Sequence, residues 1–204
     1  MKTTARLALI AAAMTAFLGF LVVNHATARA HGTEVVLDVR GYDPRDIFLG
    51  HFSMITTELQ SLDASELTDE DVFKAGDALY VTLAPGEDGN WHPVSLHTQR
   101  PDSGAFIHGY VRSSHTAEMD WTDPETGDPL DEPRPVHRVM VYGVYNIERY
   151  YASRELALAF ERRLRELDPD GDNGVRLILS LSPDGNAIIK GFEIDGVRQI
   201  DRLW

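Results

Sequence analysis

Several clusters in this sequence have residue types from which a site could be built, and their spacing decides what each can do. Asp168, Asp170 and Asp172, followed by Asn173-Gly174, open like a calcium loop, because alternating oxygen ligands on a tight turn can surround a hard cation. The pattern then stops. Asn173 stands at the loop's glycine position and Leu179 where the closing acid belongs, so an ordinary helix-to-strand turn is expected and no metal is assigned. His92, His97 and His108 lie on neighbouring predicted strands. Positions 92 and 97 differ by an odd number, which in a regular strand puts them on opposite faces. Surface or hydrogen-bonded histidines are therefore expected in place of a zinc site.

Covalent catalysis finds little support. The chain has no Gly-x-Ser-x-Gly and no Ser-x-x-Lys, and beyond the first thirty residues it holds only Lys74 and Lys190. Ser53 beside His51 is an i,i+2 pair that reads as two polar residues on one exposed strand face. Among 32 acids no spacing singles out a carboxylate pair for glycoside hydrolysis. Phosphate-binding glycine loops are absent, and no cofactor is expected. Two clusters fit recognition better than reaction. Asp43-Pro44 presets a turn across which Arg45 and Asp46 can pair. Glu148-Arg149-Tyr150-Tyr151 ends an apolar strand just before a predicted helix, where sheet ends often carry binding groups. Asp43, Arg45, Asp46, Glu148, Arg149 and Tyr150 are the candidate partner-binding residues.

The stretch from Tyr42 to Thr57 resembles the GDYXXLXY family of membrane-anchored bacterial proteins. Tyr42-Asp43-Pro44-Arg45-Asp46 keeps the family's turn and Gly50 its first motif glycine, while His51, Phe52, Ile55 and Thr57 replace the acid, the two phenols and the leucine. Further motifs follow in order: Gly76-Asp77 before Leu79 to Leu83, then Trp91-His92-Pro93-Val94, Tyr145 to Tyr151, and Ala187 to Phe192. The resemblance implies an uncleaved single-pass protein of the bacterial inner membrane, with its domain in the periplasm. Its implied partner is an integral membrane protein.

Composition sets the frame for positioning such residues. The 204 residues, 43% hydrophobic and 25% charged, suffice for one ordinary core. A net charge of −13 argues against nucleic acid and against docking on anionic lipid. With no cysteine, disulfides, thiolate zinc and cysteine nucleophiles are excluded. Residues 1–30 form a membrane anchor or signal segment. Lys2 and Arg6 precede an uncharged run from Leu7 to Val23, which as a helix spans roughly 26 Å, just short of a ~30 Å hydrocarbon core. Ala28-Arg29-Ala30 also fits a cleavage site, so secretion after Ala30 is the alternative to an anchor. In either case the charge order keeps the amino end cytoplasmic and exports the rest.

Residues 31–204 are expected to form an α+β, β-rich domain built on a single antiparallel sheet with one packed amphipathic helix. Strands are predicted at Glu34 to Val39, Gly50 to Glu58, Ala78 to Leu83, Trp91 to His97, Ala105 to Val111 and Val139 to Tyr145. The acid-rich segment Asp63 to Asp71 is expected to be a solvated loop or short helix and not a core element. Residues 114–137, with seven acids and prolines at 124, 129, 133 and 135, read as a mobile insertion. Leu156, Phe160, Leu164 and Leu167 set one apolar face of a helix from Arg154 to Leu167. Val175, Leu177, Leu179 and Leu181 alternate with more polar residues as a half-buried strand, and Asp184-Gly185 and Asp195-Gly196 turn it into a three-strand meander. The expected function is a membrane-anchored binding or accessory domain without catalysis. The alternative is an exported hydrolase, glycan-acting, with unassigned carboxylates.

Overall fold

The structure, a computed structural model, describes residues 3–40, 52–68, 72–118, 137–151, 163 and 174–201. It begins with helix α1, Thr3–His31, whose 29 residues run about 44 Å at ~1.5 Å each. The helix thus continues well past the Leu7 to Val23 run at both ends, and length no longer limits a crossing. It is long and apolar enough to span a membrane, and none of its apolar span is covered by protein. Leu7, Phe17, Phe20 and Val23 are all about two-thirds exposed, on every side of the helix, as a lipid-solvated segment requires.

Beyond α1 the chain is β-rich, with two antiparallel sheets and a short ribbon in place of the single sheet expected. Strands β1 (Thr33–Asp38), β9 (Val175–Leu181), β10 (Ala187–Ile194) and β11 (Val197–Ile200) form a four-stranded sheet in the order β1-β9-β10-β11. Strands β3 (Leu62–Asp63), β4 (Ala78–Pro85), β5 (Trp91–His97), β6 (Ala105–Glu118) and β7 (His137–Val144) form a five-stranded sheet in the order β3-β7-β6-β4-β5. Strands β2 (Phe52–Met54) and β8 (Arg149–Tyr151) pair as the ribbon. The chain divides because β1 finds its partner in the distant C-terminal meander, with Leu37 opposite Leu177 and Val35 opposite Leu179. Val35, Leu37, Leu177 and Leu179 from one sheet and Leu79, Val81, Leu96 and Ile107 from the other share one buried core.

The meander forms as its turn residues require. Asp195 and Gly196 both take positive φ, 49° and 77°, the pairing that matches strand twist in a two-residue hairpin. β9 departs from the alternation expected of it: Ile178 and Ser180 are as buried as Leu177 and Leu179, so past Arg176 the strand is covered on both faces. Lys190 is an extra residue between Ile189, opposite Leu179, and Gly191, opposite Ile178. A Cβ at Gly191 would lie 1.9 Å from the Gln199 carbonyl oxygen, so only glycine lets β10 and β11 approach there.

Other boundaries move. Of the strand expected from Gly50 to Glu58, the described residues form β2, followed by an isolated bridge at Thr56 and a 3-10 turn over Glu58–Gln60. The acid-rich segment carries the short helix expected, α2 (Ala64–Leu67), with Ser65 and Glu66 exposed, but its start enters the core: Leu62 and Asp63 pair with Val141 and Met140, and Ala64 is buried. Asp63 caps that helix by accepting from the Ser65 amide at 3.1 Å. The insertion is shorter than expected, because Ser114 to Glu118 pair with Val141 to His137 in the β6–β7 hairpin. Its remainder, 119–136, lies outside the described residues, as does the predicted helix from Arg154 to Leu167 except for Arg163, which is helical. β6 and β7 sit side by side, and β7 is flanked on both edges.

Candidate functional site

The described residue with the most unusual burial is Arg29, in the last turn of α1. A helix end leaves polar backbone groups unsatisfied, and a buried guanidinium must find acceptors. Arg29 is 9% exposed, and its Nη2 donates to the carbonyls of Lys190, at 2.6 Å, and Asp201, at 2.7 Å. These carbonyls close the open end of the β10–β11 ladder, where the Asp201 amide also donates to Lys190 at 2.9 Å. One turn of helix is thereby bonded to a sheet more than 160 residues away in sequence. On the neighbouring strand the Ser180 hydroxyl donates to the Ala28 carbonyl at 2.8 Å, an acceptor shared with the Gly32 amide at 3.1 Å. Gly32 permits this contact, since a Cβ there would lie 2.3 Å from Ser180 Oγ and 2.6 Å from the Leu181 carbonyl. The Ala28-Arg29-Ala30 sequence that fits a cleavage site is therefore helical and packed against the four-stranded sheet.

Tyr150 joins the same junction. Its phenol donates to Asp201 Oδ1 at 2.8 Å and its ring meets Phe192 edge-on, 4.5 Å between centroids. Burial, then the bond to the Asp201 carboxylate, push the phenol well above its usual range, against the opposing charge of Arg29. Of the other residues singled out on this stretch, Glu148 turns inward, accepting from the Tyr145 amide at 2.6 Å, and its carbonyl accepts from Ile55. Arg149 is exposed. The structure thus brings Tyr150 to the helix junction and leaves Arg149 as the exposed member of the three. Asp43, Arg45 and Asp46 lie outside the described residues, as do His51 and the calcium candidates Asp168, Asp170 and Asp172. Among the described residues no group of three or more acids and histidines is placed to hold a metal ion.

A row of charges crosses the four-stranded sheet beside this junction. Register places Asp38 opposite Arg176, Arg176 opposite Glu193 and Glu193 opposite Arg198, one pair per strand boundary. Arg198 reaches Glu193 at 3.0 Å and Glu34 at 2.7 Å, and the bulged Lys190 reaches Glu34 at 2.5 Å. The Lys190 hydrogen bond, outweighing partial burial and helped by Arg198, holds Glu34 below the ordinary carboxylate range. These pairs are partly exposed and individually modest, but along the row each charge touches one of opposite sign. Sequence reasoning missed the row because its Glu34 and Asp38 members join only once β1 is paired with β9; the one signal available was the placement of opposite charges on strands of the predicted meander.

A second charged cluster sits on the five-stranded sheet. His92 Nδ1 lies 3.2 Å from Glu58 and Nε2 3.1 Å from Asp88, so each ring nitrogen faces a carboxylate. Burial lowers the imidazole's pKa, but the Asp88 hydrogen bond and the two negative charges outweigh it and leave the value raised. The His92 bond, with that of the Asn90 amide, brings Asp88 down to about 2. Opposite-face placement of His92 and His97 does not hold. Thr82 pairs with Ser95 and Leu83 with Pro93, so Val94 is an extra residue and the parity argument shifts by one. The two histidines share a face yet have separate partners, His97 bonding Ser95 at 2.9 Å. His108 stacks on Tyr80, 4.6 Å between centroids.

A family model described as GDYXXLXY protein matches residues 14–192, from within α1 to β10. No curated protein and no solved structure matches.

Proposed function

The chain belongs to the GDYXXLXY family, and from that premise we propose that it is a membrane-anchored extracytoplasmic accessory domain that binds an integral membrane protein and performs no catalysis itself. One observation carries this reading: the end of α1 is bonded into the sheet through Arg29 and Ala28, while the apolar span of the same helix is bare. A tether meant only to hold a domain near a membrane needs no such junction. A helix fixed to its domain can present both a transmembrane face and an extracytoplasmic face to one partner in a set orientation. Lys2 and Arg6 ahead of the apolar run keep the amino end cytoplasmic, which puts the sheets on the far side of the bilayer. Cleavage after Ala30 would remove Arg29 and expose the carbonyls it binds, so the segment acts as an uncleaved anchor. Recognition falls to the helix surface, to Arg149, and to the turn residues Asp43, Arg45 and Asp46.

The test is photo-crosslinking in membranes from Phe17 or Leu18 in the helix and from Arg149 in the domain. Capture of the same multi-spanning protein from both regions is the expected result. Capture of nothing but lipid and a copy of the chain, or turnover in a glycan screen abolished by one acidic substitution, would replace this reading, the latter with an exported hydrolase.

A further inference from the structure

The end of α1 and the β9–β10 turn enclose a groove of about 840 Å³, lined on one side by Leu21, Asn24, His25 and Ala28 and on the other by Asn186 and Ile188. Its position along the helix says where it sits. Val23 ends the uncharged run and Asn24 begins the polar end, so the hydrocarbon boundary falls between them. From Leu21 to His31 the helix rises roughly 15 Å, which carries the groove from the edge of the hydrocarbon through a head-group layer of ~5–7 Å. Whatever occupies it is continuous with the bilayer surface of α1.

The lining is graded to match. Leu21 at the membrane end is apolar and exposed, Ala28 and Ile188 form part of the wall, and Asn24, His25, His31 and Asn186 supply polar groups at head-group depth. The groove is also held in shape. The Gly185 carbonyl accepts from the His108 amide at 2.8 Å, and Arg100 binds Asp184 and the Pro183 carbonyl, each at 3.0 Å, so the turn is fastened to the five-stranded sheet. Asp184 also lines the groove, which therefore offers a carboxylate as well as two imidazoles and two amides. That combination suits a zwitterion: a phosphate for the histidine and asparagine donors, and an ammonium for the acid. A net anionic head would meet the field of a chain with charge −13.

We infer that this groove seats the head of one amine-bearing zwitterionic phospholipid, with an acyl chain running down Leu21 along α1, so that the lipid wedges the turn against the helix. The inference rests on α1 crossing the bilayer, which recovery of the full chain in washed membranes tests independently. The experiment uses full-length protein in nanodiscs of equal phosphatidylethanolamine and phosphatidylglycerol, released into native mass spectrometry. The wild type should retain one phosphatidylethanolamine per chain. Ile188→Trp, which fills the groove, should reduce retention at least fivefold, while Val197→Trp, on the exposed strand β11, should not. Paired His25→Ala and His31→Ala should reduce retention about threefold or more while the near-UV dichroism of the domain stays unchanged. No retained lipid on a membrane-integrated wild type, equal retention by Ile188→Trp, or a preference for phosphatidylglycerol would each overturn the inference. So would crosslinking of position 188 to a protein helix in place of lipid.

Discussion

In the four-stranded sheet Glu34 meets Lys190 and Arg198, and the open end of the ladder closes on Arg29 of the N-terminal helix, over sequence separations above 150 residues. In the five-stranded sheet several polar bonds are local instead: Asp88 to His92 across one hairpin, Ser95 to His97 within one strand. Both sheets use bulges, at Lys190 in one and at Val94 in the other. The first bulge is integrated, since Lys190 supplies a side chain to Glu34 and a carbonyl to Arg29. The second only turns His92 toward its own hairpin and Glu58. The difference teaches that the four-stranded sheet is the part of the molecule built around the helix, and that substitutions there should propagate to the helix, whereas those in the hairpin that carries Asp88, His92 and His97 should stay local.

The largest effect expected is at Gly191. Alanine would place a Cβ against the backbone of Gln199, so β10 and β11 must separate. A loss of about 3 kcal/mol follows from that overpacking, visible as a fall in Tm of roughly 6–12 °C for a chain of this size. Hydrogen exchange should show β11 opening first; protection of β11 at the wild-type level would contradict the close-approach argument. Next is Arg29→Ala in the full-length chain. Two charge-assisted bonds go, and the carbonyls of Lys190 and Asp201 lose a donor, at a cost of about 2–3 kcal/mol. Arg198→Ala, which breaks only half-exposed pairs, should cost less than about 1 kcal/mol. If the two substitutions have equal effects, the junction is no stronger than the surface.

Tyr150→Phe should cost about 1 kcal/mol by removing the bond to Asp201 while keeping the contact with Phe192. On the other sheet, a short Gly/Ser linker in place of residues 119–136 should shift stability by about 1 kcal/mol or less, since closure entropy grows only logarithmically with loop length. The same replacement starting at Ser114 should cost far more, because it removes the strand pairs from Ser114↔Val141 to Glu118↔His137 and the Ser114 bond to the Phe73 carbonyl. Near-equal melting of the two variants would mean the outer half of the hairpin contributes nothing.

The smallest effect concerns pH and His92. Its pKa is raised on folding, so its contribution is fully present below the unfolded value near 6.5 and is lost as pH rises through the higher folded value. With the ring two-fifths exposed, the increment should be only about 0.5 kcal/mol. Raising pH from 6 to 8 should therefore lower the wild-type Tm by a degree or two more than that of His92→Gln. The sign for Asp88 is opposite: its contribution is present above the usual carboxylate range and fades as pH falls toward 2.

Much of the β architecture was legible because its signals are local. Asp195-Gly196 between apolar runs can form only a tight turn, and the Ala78 to His97 hairpin follows from turn residues flanked by alternating apolar ones. What escaped was whatever depends on partners distant in sequence. The division into two sheets rests on β1 choosing β9, and the bond that holds Ser180 rests on a helix end that sequence periodicity assigns to a separate segment. Arg29 shows this most clearly. As a residue in a small-residue stretch after an apolar run it reads as part of a processing site, and its role appears only when two carbonyls from the far end of the chain are brought to it. The candidate site was half legible: Tyr150 was singled out for lying at a strand end, but its partners Asp201 and Phe192 were not. The parity of His92 and His97 failed for the same kind of reason, since a bulge is set by the pairing of two strands and not by either one.

The proposed role requires α1 and the sheets to be one membrane-held unit. The direct measurement is the intact mass of the chain recovered from expressing cells, with its location after fractionation. The expected result is the unprocessed mass, amino-terminal segment included, in salt-washed membranes. A soluble form beginning at His31 would show cleavage after Ala30, leave the carbonyls of Lys190 and Asp201 without Arg29, and contradict it.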